Sequence, residues 1–167
     1  MNEEIKNLTF DDEEIINSLT KKCLCNGDTI FTTKILPTEK NVDSFFRLEI
    51  FPIIFDEDPI LGFFSGKNLL GLSYCSTKIN SCYDLAEPTS IGGLTMCDPD
   101  FRHQGIGSKL RLSLISELRA RSIKKFIFEI RADNEASLNN AQKISKIIKA
   151  DAEMISLKFE GSSNVLQ

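Results

Sequence analysis

The chain has 167 residues, 41% of them apolar and 26% charged, which suits a single soluble domain over residues 1–167 with a sizeable core. Its formal net charge of -4 argues against a general nucleic-acid binder, which is usually basic. No run approaches the roughly 18 apolar residues of a membrane span, so we expect no membrane partner. The acidic start has no apolar run behind it, and we expect no leader sequence.

The cysteines indicate a reducing compartment. There are five of them, an odd number, and the chain has one histidine. The pattern completes neither a disulfide framework nor a four-ligand metal site. We therefore interpret the cysteines as reduced thiols in a cytoplasmic protein and expect no metal centre.

The N-terminal segment predicts a strand followed by an amphipathic helix. Residues 5–10 are typical of a strand, and Asp11 with Glu14 resembles a capping box at a helix start. The apolar side chains that follow at helical spacing are Ile15, Ile16, Leu19 and Cys23. A turn is then indicated by Asn26-Gly27-Asp28.

The middle of the chain predicts a short helix and several strands. Asp43 is the candidate cap of the helix, and we expect Pro52 to end or kink it. The elements predicted next are strands at 60–64 and 69–77 joined by a hairpin turn at 65–68, a polar loop at 79–88 and a strand at 91–96.

The C-terminal half contains the clearest helix, at residues 105–120, because Ile106, Leu110, Leu114 and Leu118 recur every four residues. The elements predicted after it are a strand at 125–131 covered on both faces, a helix at 134–148 and a strand at 154–159. This order predicts an α/β (α+β) fold, a mostly antiparallel sheet flanked by helices with a strand–helix–strand unit.

The loop before the long helix is a candidate anion site. Arg102, Gly105 and Gly107 form the pattern Arg-x-x-Gly-x-Gly between a strand and a helix. Glycine lets the backbone approach a ligand closely, and the N–H groups of a first helical turn attract negative charge. A pyrophosphate fits this site, with Arg102 and Lys109 near enough to add positive charge. The glycine spacing differs from that of a dinucleotide fingerprint or a P-loop, which disfavours a nucleotide-binding protein.

The wider segment around this loop resembles motif A of the GNAT acetyltransferase superfamily. Arg102, Gly105 and Gly107 match the pattern Gln/Arg-x-x-Gly-x-Gly/Ala, residues 94–99 resemble the fourth strand, and residues 126–134 resemble the fifth strand with its following Asn. The similarity is greatest to the branch that acetylates the N-termini of ribosomal proteins. The resemblance implies the GNAT-type sheet and an N-acetyltransferase that uses acetyl-coenzyme A (acetyl-CoA) and an amine substrate.

The resemblance also implies roles for individual residues. Backbone groups of Thr95, Met96 and Cys97 would hold the pantetheine arm and the acetyl carbonyl. Asn134 would bind the far end of the pantetheine. The residues implied to hold the pyrophosphate are Arg102, His103, Gln104, Gly105, Ile106, Gly107 and Ser108. His103 is thus a phosphate contact and not a base.

Glu129 is the candidate general base, because a cationic amine must lose a proton before it attacks a thioester. It lies near the end of an apolar strand, where desolvation would raise its pKa toward a useful value. It also matches the Glu of a Leu-Glu-Val-Arg-like stretch in the ribosomal-protein branch. The alternative is a structural Glu paired with Arg131.

The resemblance is incomplete at the general acid. The superfamily places a Tyr in the helix after the fifth strand, and the corresponding residue is Ala141. Water, Tyr74 or Cys75 are the alternative proton sources. Two hypotheses follow, an active amine N-acetyltransferase and an acyl-CoA-binding sensor or regulatory module without turnover. The sequence leaves open the acceptor, a small molecule or a protein amine, and the oligomeric state, a homodimer included.

Overall fold

The fold is taken from a computed structural model that describes residues 2–28, 38, 40–77, 89–91, 93–128, 130 and 134–149. They fall into two compact units, Met1–Glu129 and Ile130–Gln167, which are described separately. The predicted loop at 79–88, the predicted strand at 154–159 and the candidate base Glu129 lie outside the described residues. Within the described ranges, no helix has the length and apolar character that a membrane crossing requires.

The first unit contains all the described strands. They are β1 (Glu3–Asn7), β2 (Ile60–Ser65), β3 (Asn68–Tyr74), β4 (Thr89–Ile91), β5 (Thr95–Cys97) and β6 (Lys125–Ile127). Four of them form an antiparallel sheet in the order β1-β2-β3-β5, and β4 pairs in parallel with β6. The mostly antiparallel sheet predicted from the sequence is therefore confirmed.

Helices cover both faces of this sheet. They are α1 (Glu13–Cys25), α2 (Val42–Phe45), α3 (Phe51–Phe55) and α4 (Ile106–Ala120), while α5 (Glu135–Ile148) belongs to the second unit. One face packs Leu72 and Met96 against α1 and the α2–α3 segment. The other face packs Phe63 and Leu70 against α4. The helix α4 lies so close to β3 that a Cβ on Gly71 would be 3.0 Å from Cγ2 of Ile106.

The start of α1 differs from its prediction. The first strand ends at Asn7, and after one more bond, from the N–H of Leu8 to the carbonyl of Ile60, the chain turns into a 3-10 segment at Phe10–Asp12. The capping carboxylate belongs to Asp12, which accepts the backbone N–H of Thr9 at 2.8 Å. The predicted pair of Asp11 and Glu14 was therefore wrong by two residues.

Of the two predicted effects of Pro52, an end or a kink in the helix, the helix end was wrong. The helical segment begins at the cap residue Asn41, not at Asp43, and runs through a π-helical turn at Phe46–Ile50 into α3. Pro52 occupies the first turn of α3. Its missing N–H costs little there, because the π turn has already shifted the hydrogen-bond register.

The strands predicted at 91–96 and 125–131 are both shorter than expected. The strand predicted at 91–96 is divided into β4 and β5, and Gly93 lies between them with φ of +127°. The strand predicted from residue 125 ends at Ile127, where its partner β4 also ends. Lys125 is exposed and Ile127 is half-buried, so β6 is not covered on both faces.

Candidate functional site

The candidate site begins where two chain segments diverge. β4 pairs with β6 from Thr89↔Lys125 to Ile91↔Ile127, and the chain then changes partner, because the N–H of Tyr74 on β3 donates to the carbonyl of Leu94 at 3.1 Å. β5 is the edge strand of the four-stranded sheet. A gap lies between the outer edge of β5 and the chain that leaves β6 at Phe128. We call this gap the fork.

Gly93 makes the change of partner feasible. A Cβ at this position would lie 2.3 Å from the carbonyl oxygen of Tyr74, and its φ of +127° is one that side chains rarely adopt. Only glycine fits this backbone without displacing β3.

The backbone of β5 offers hydrogen-bonding groups to the fork. The N–H of Asp98 donates to Leu70 and that of Tyr74 to Leu94, so the even-numbered residues bond to β3. The intervening residues Thr95 and Cys97 therefore direct their N–H and C=O groups to the outer edge. Met96 directs its backbone to β3, and its side chain lies in the core.

The loop after β5 leads into α4 through two residues with left-handed backbone. The carboxylate of Asp98 accepts the N–H of Asp100 at 3.0 Å and starts a 3-10 turn. His103 then has φ of +62°, and Gly105, the cap of α4, has φ of +81°. A Cβ built on Gly105 meets no atom within 4 Å, so the loop is open at the helix start. His103, Gln104 and Gly105 are exposed, whereas the side chain of Ile106 anchors the first turn in the core.

The two cations predicted to support an anion are both paired with carboxylates. Arg102 donates through both terminal nitrogens to Asp28, which raises the pKa of its guanidinium, and its Nε lies 3.4 Å from the carbonyl oxygen of Cys97. Lys109 lies 2.9 Å from a carboxylate oxygen of Glu3. The contribution of Arg102 to donor binding stays a prediction.

Helix α1 contacts the loop through ion pairs and a hydrogen bond. The Nζ of Lys22 lies 2.7 Å from carboxylate oxygens of both Asp98 and Asp100, and hydrogen bonds first to Asp100 and then to Asp98 raise the pKa of this lysine. The thiol of Cys23 is 3.4 Å from the carbonyl oxygen of Cys97. These contacts hold β5 and the loop against the end of α1.

Tyr74 and Cys75, two of the three alternative proton sources, are buried and protonated. The hydroxyl of Tyr74 donates to the Glu49 carboxylate at 3.3 Å, and burial raises the pKa of this tyrosine well above its ordinary value. Burial likewise raises the pKa of Cys75 to about 12. Both side chains therefore keep their protons at neutral pH.

Arg111, a buried cation on α4 that is 6% exposed, was not among the site residues predicted from the sequence. Its Nε donates to the hydroxyl of Thr95 at 3.0 Å, and its guanidinium carbon lies 5.5 Å from the centre of the Phe128 ring. Arg111 thus spans the fork from β5 to the chain beyond β6. Its helical position was the available signal, since it lies four residues before Ile115 on the apolar face of α4.

The second unit carries one predicted site residue. Asn134 caps α5, and its side-chain oxygen accepts the N–H of Ser137 at 3.0 Å. Ala141, at the position where the superfamily has its Tyr, lies within α5. The roles of Asn134 and Glu129 stay predictions.

The chain belongs to the Acetyltransferase (GNAT) family, whose profile matches residues 33–145. The matched segment contains β2 to β6, the loop with Arg102, Gly105 and Gly107, and α4. No curated protein sequence matches the chain.

Solved structures share the fold at low identity. An N-acetyltransferase from Staphylococcus aureus Mu50 is 23% identical with a TM-score of 0.64, over 87% of this chain and 83% of that one. A Salmonella typhimurium protein solved with its cofactor acetyl-CoA is 16% identical with a TM-score of 0.64, over 85% of this chain and 78% of that one. A ribosomal-protein-alanine N-acetyltransferase from Brucella melitensis is 20% identical with a TM-score of 0.65, over 84% of this chain and 82% of that one. A solved structure with this fold thus contains acetyl-CoA, the cosubstrate predicted from the sequence.

Proposed function

We propose that this protein is an N-acetyltransferase that transfers an acetyl group from acetyl-CoA to an amine. The observation that carries the proposal is the open, left-handed Gly105 at the start of α4, one short loop after β5, the edge strand of the described four-stranded sheet. Helix-start N–H groups suit a pyrophosphate, and an unpaired strand edge suits the amides of a pantetheine arm.

The residues present fit this donor. No atom lies within 4 Å of a Cβ built on Gly105, which leaves room for a phosphate beside the backbone. Residues from His103 to Ser108 would surround the pyrophosphate, and the backbone N–H and C=O of Thr95 and the N–H of Cys97 would bond the pantetheine. When bound, the thioester supplies an activated acyl group and a good leaving group.

Donor binding can be tested without knowing the acceptor. Acetyl-CoA binds only the folded protein, so at about 100 times its Kd it should add about 2.7 kcal/mol to the free energy of unfolding and raise the Tm. Gly105→Glu places a negative charge at the phosphate position and should abolish this rise. The measurement is a thermal melt with and without acetyl-CoA.

The matched control is Gly66→Glu in the hairpin turn. Gly66 also has positive φ and open space around its Cα, so the substitution carries a similar backbone cost. We expect this variant to keep the shift in Tm. A wild-type protein whose Tm does not respond to saturating acetyl-CoA would refute the proposed donor.

Proton transfer is the role that we assign to Glu129. The Glu129 carboxylate accepts one proton from the cationic amine before the neutral nitrogen bonds to the acyl carbon. As the carbon–sulfur bond breaks, its electron pair stays on sulfur, and the second proton that the nitrogen loses passes to the thiolate or to water. Glu129→Gln should therefore lower kcat by roughly two to four orders of magnitude with little change in donor affinity. The assay is thiol release with a panel of amines, and equal rates for both proteins would rule Glu129 out.

A second candidate function, an acyl-CoA sensor without turnover, has one observation in its favour. Ala141 cannot donate a proton, so the chain lacks a phenol at the position where the superfamily has one. An acyl-CoA sensor would show the donor-induced rise in Tm and no amine-dependent thiol release with any member of the panel. We favour the enzyme, since a coenzyme A thiolate is a good leaving group that can depart without a dedicated acid.

The acceptor class that we propose to test first is a protein N-terminus. It rests on the motif resemblance to the ribosomal-protein branch, while the 20% identical Brucella melitensis structure supports the fold alone. A cytoplasmic location belongs to the same proposal, because the described cysteines form no disulfide with one another.

A further inference from the structure

Arg111 is a buried cation without a carboxylate partner among the described residues. Its side chain is 6% exposed, and its Nη1 is buried and has no hydrogen-bond acceptor in the described part of the chain. The ion pairs of α4 within that part involve Lys109 and Arg121 instead. Burial lowers the pKa of Arg111, which reflects an incompletely compensated charge.

A structural role accounts poorly for this arrangement. Desolvation of a cation is expensive, and replacement of a buried ion by an apolar side chain of similar volume is often neutral or stabilising. The ring of Phe128 and the hydroxyl of Thr95 recover part of the desolvation cost through a cation–π contact and one hydrogen bond. An N–H at Nη1 still lacks an acceptor, so a ligand atom that accepts a hydrogen bond would improve the environment of Arg111.

The contacts of Arg111 connect it to the edge strand β5. Thr95 joins the guanidinium to the fork, because its hydroxyl accepts from Arg111 while its backbone N–H points to the outer edge of β5. The same hydroxyl lies 2.8 Å from Oγ of Ser73, which fixes its position. Arg111 is therefore hydrogen-bonded to the residue of β5 whose backbone N–H faces the proposed donor.

We infer that Arg111 positions the acyl donor, with its Nη1 donating a hydrogen bond to the thioester carbonyl oxygen of acetyl-CoA. The inference rests on the proposed function and adds a donor-specific residue to it. A cation makes a stronger hydrogen bond to a carbonyl than a neutral donor does, and it also draws electron density away from the acyl carbon. Free coenzyme A has no carbonyl at this point, so the contact should distinguish the two ligands.

The test compares the affinities for acetyl-CoA and coenzyme A by calorimetric titration. In Arg111→Met the Kd for acetyl-CoA should rise by roughly 10- to 100-fold, the range for a hydrogen bond to a charged group. The Kd for coenzyme A should stay the same. Arg119→Met is the matched control, because it removes an exposed cation from the same helix and should change neither Kd.

The outcomes separate the possible roles. An equal rise in both Kd values, or no change in either, would overturn the inference about Arg111. The proposed function would stand in that case, provided that the wild-type protein binds acetyl-CoA. Failure of the wild-type protein to bind acetyl-CoA would overturn both. We expect the Tm of Arg111→Met without ligand to equal or exceed that of the wild type. If this variant does not fold, Arg111→Lys keeps the charge without the planar fork and should show a smaller, still acetyl-specific loss.

Discussion

The thiols of Cys23, Cys75 and Cys97 show how burial changes individual groups in this protein. Burial raises their pKa values from the ordinary value of 9.0 to about 12, 12 and 11. A thiol in this range is protonated at neutral pH and is a poor nucleophile. Cys97 can therefore take part in the candidate site through its backbone without a competing thiolate.

The same pKa shifts predict a loss of stability at alkaline pH. Above about pH 9 the unfolded chain loses its thiol protons while the folded protein keeps them, so the free energy of unfolding falls as the pH rises toward about 12. Replacement of one buried thiol should remove the part of this fall in the free energy of unfolding that the thiol causes. We expect Cys75→Ala to reduce the loss between about pH 8 and pH 10.5 by about 1–2 kcal/mol, measured by urea unfolding.

Cys25 provides the control, because its side chain is exposed. Cys25→Ala should leave the pH dependence close to that of the wild type. A Cys75→Ala protein with the wild-type pH dependence would show that the buried thiol does not control alkaline stability.

At the scale of elements, the break between β4 and β5 creates the fork. One continuous strand would keep β4 beside β6 along its whole length and leave no free edge at Thr95 and Cys97. The backbone at Gly93 instead transfers the chain from β6 to β3 within a few residues. The break depends on one residue that has no Cβ.

Gly93→Ala should therefore be much more destabilising than an ordinary glycine replacement. The added Cβ would collide with the carbonyl of Tyr74, so β3 and β5 would have to separate. Gly27→Ala is the comparison, because Gly27 also has positive φ but open space, and its cost should be the left-handed penalty of about 1–2 kcal/mol. Chemical unfolding of both variants measures the difference, and equal losses would contradict the proposed role of Gly93.

At the scale of the first unit, contacts between distant parts of the sequence assemble the site. Asp28 pairs with Arg102 across 74 residues, and Lys22 reaches Asp98 across 76. α1 and α4 lie on opposite faces of the sheet, and both contact β5. The strand that offers its edge to the proposed donor is therefore held from both sides.

Local patterns in the sequence were sufficient for several elements. The four-residue recurrence of apolar side chains predicted α4, and the turn residues between two apolar runs predicted the β2–β3 hairpin. Both are confirmed, since helical periodicity and turn chemistry depend on residues close together in the chain. The Arg-x-x-Gly-x-Gly loop was likewise readable, and the match of residues 33–145 to the GNAT family confirms the superfamily that it indicated.

Tertiary structure decided the features that depend on distant neighbours. Gly93 divides a predicted strand because of a carbonyl on β3, and Asp28 pairs with Arg102, which the sequence had assigned to a phosphate. Arg111 belongs to no sequence motif. Only the packing of α4 against β5 shows that this charged residue, on the apolar face of its helix, is buried at the fork. Periodicity specifies which face of an element is buried, whereas the identity of its neighbours follows from the fold.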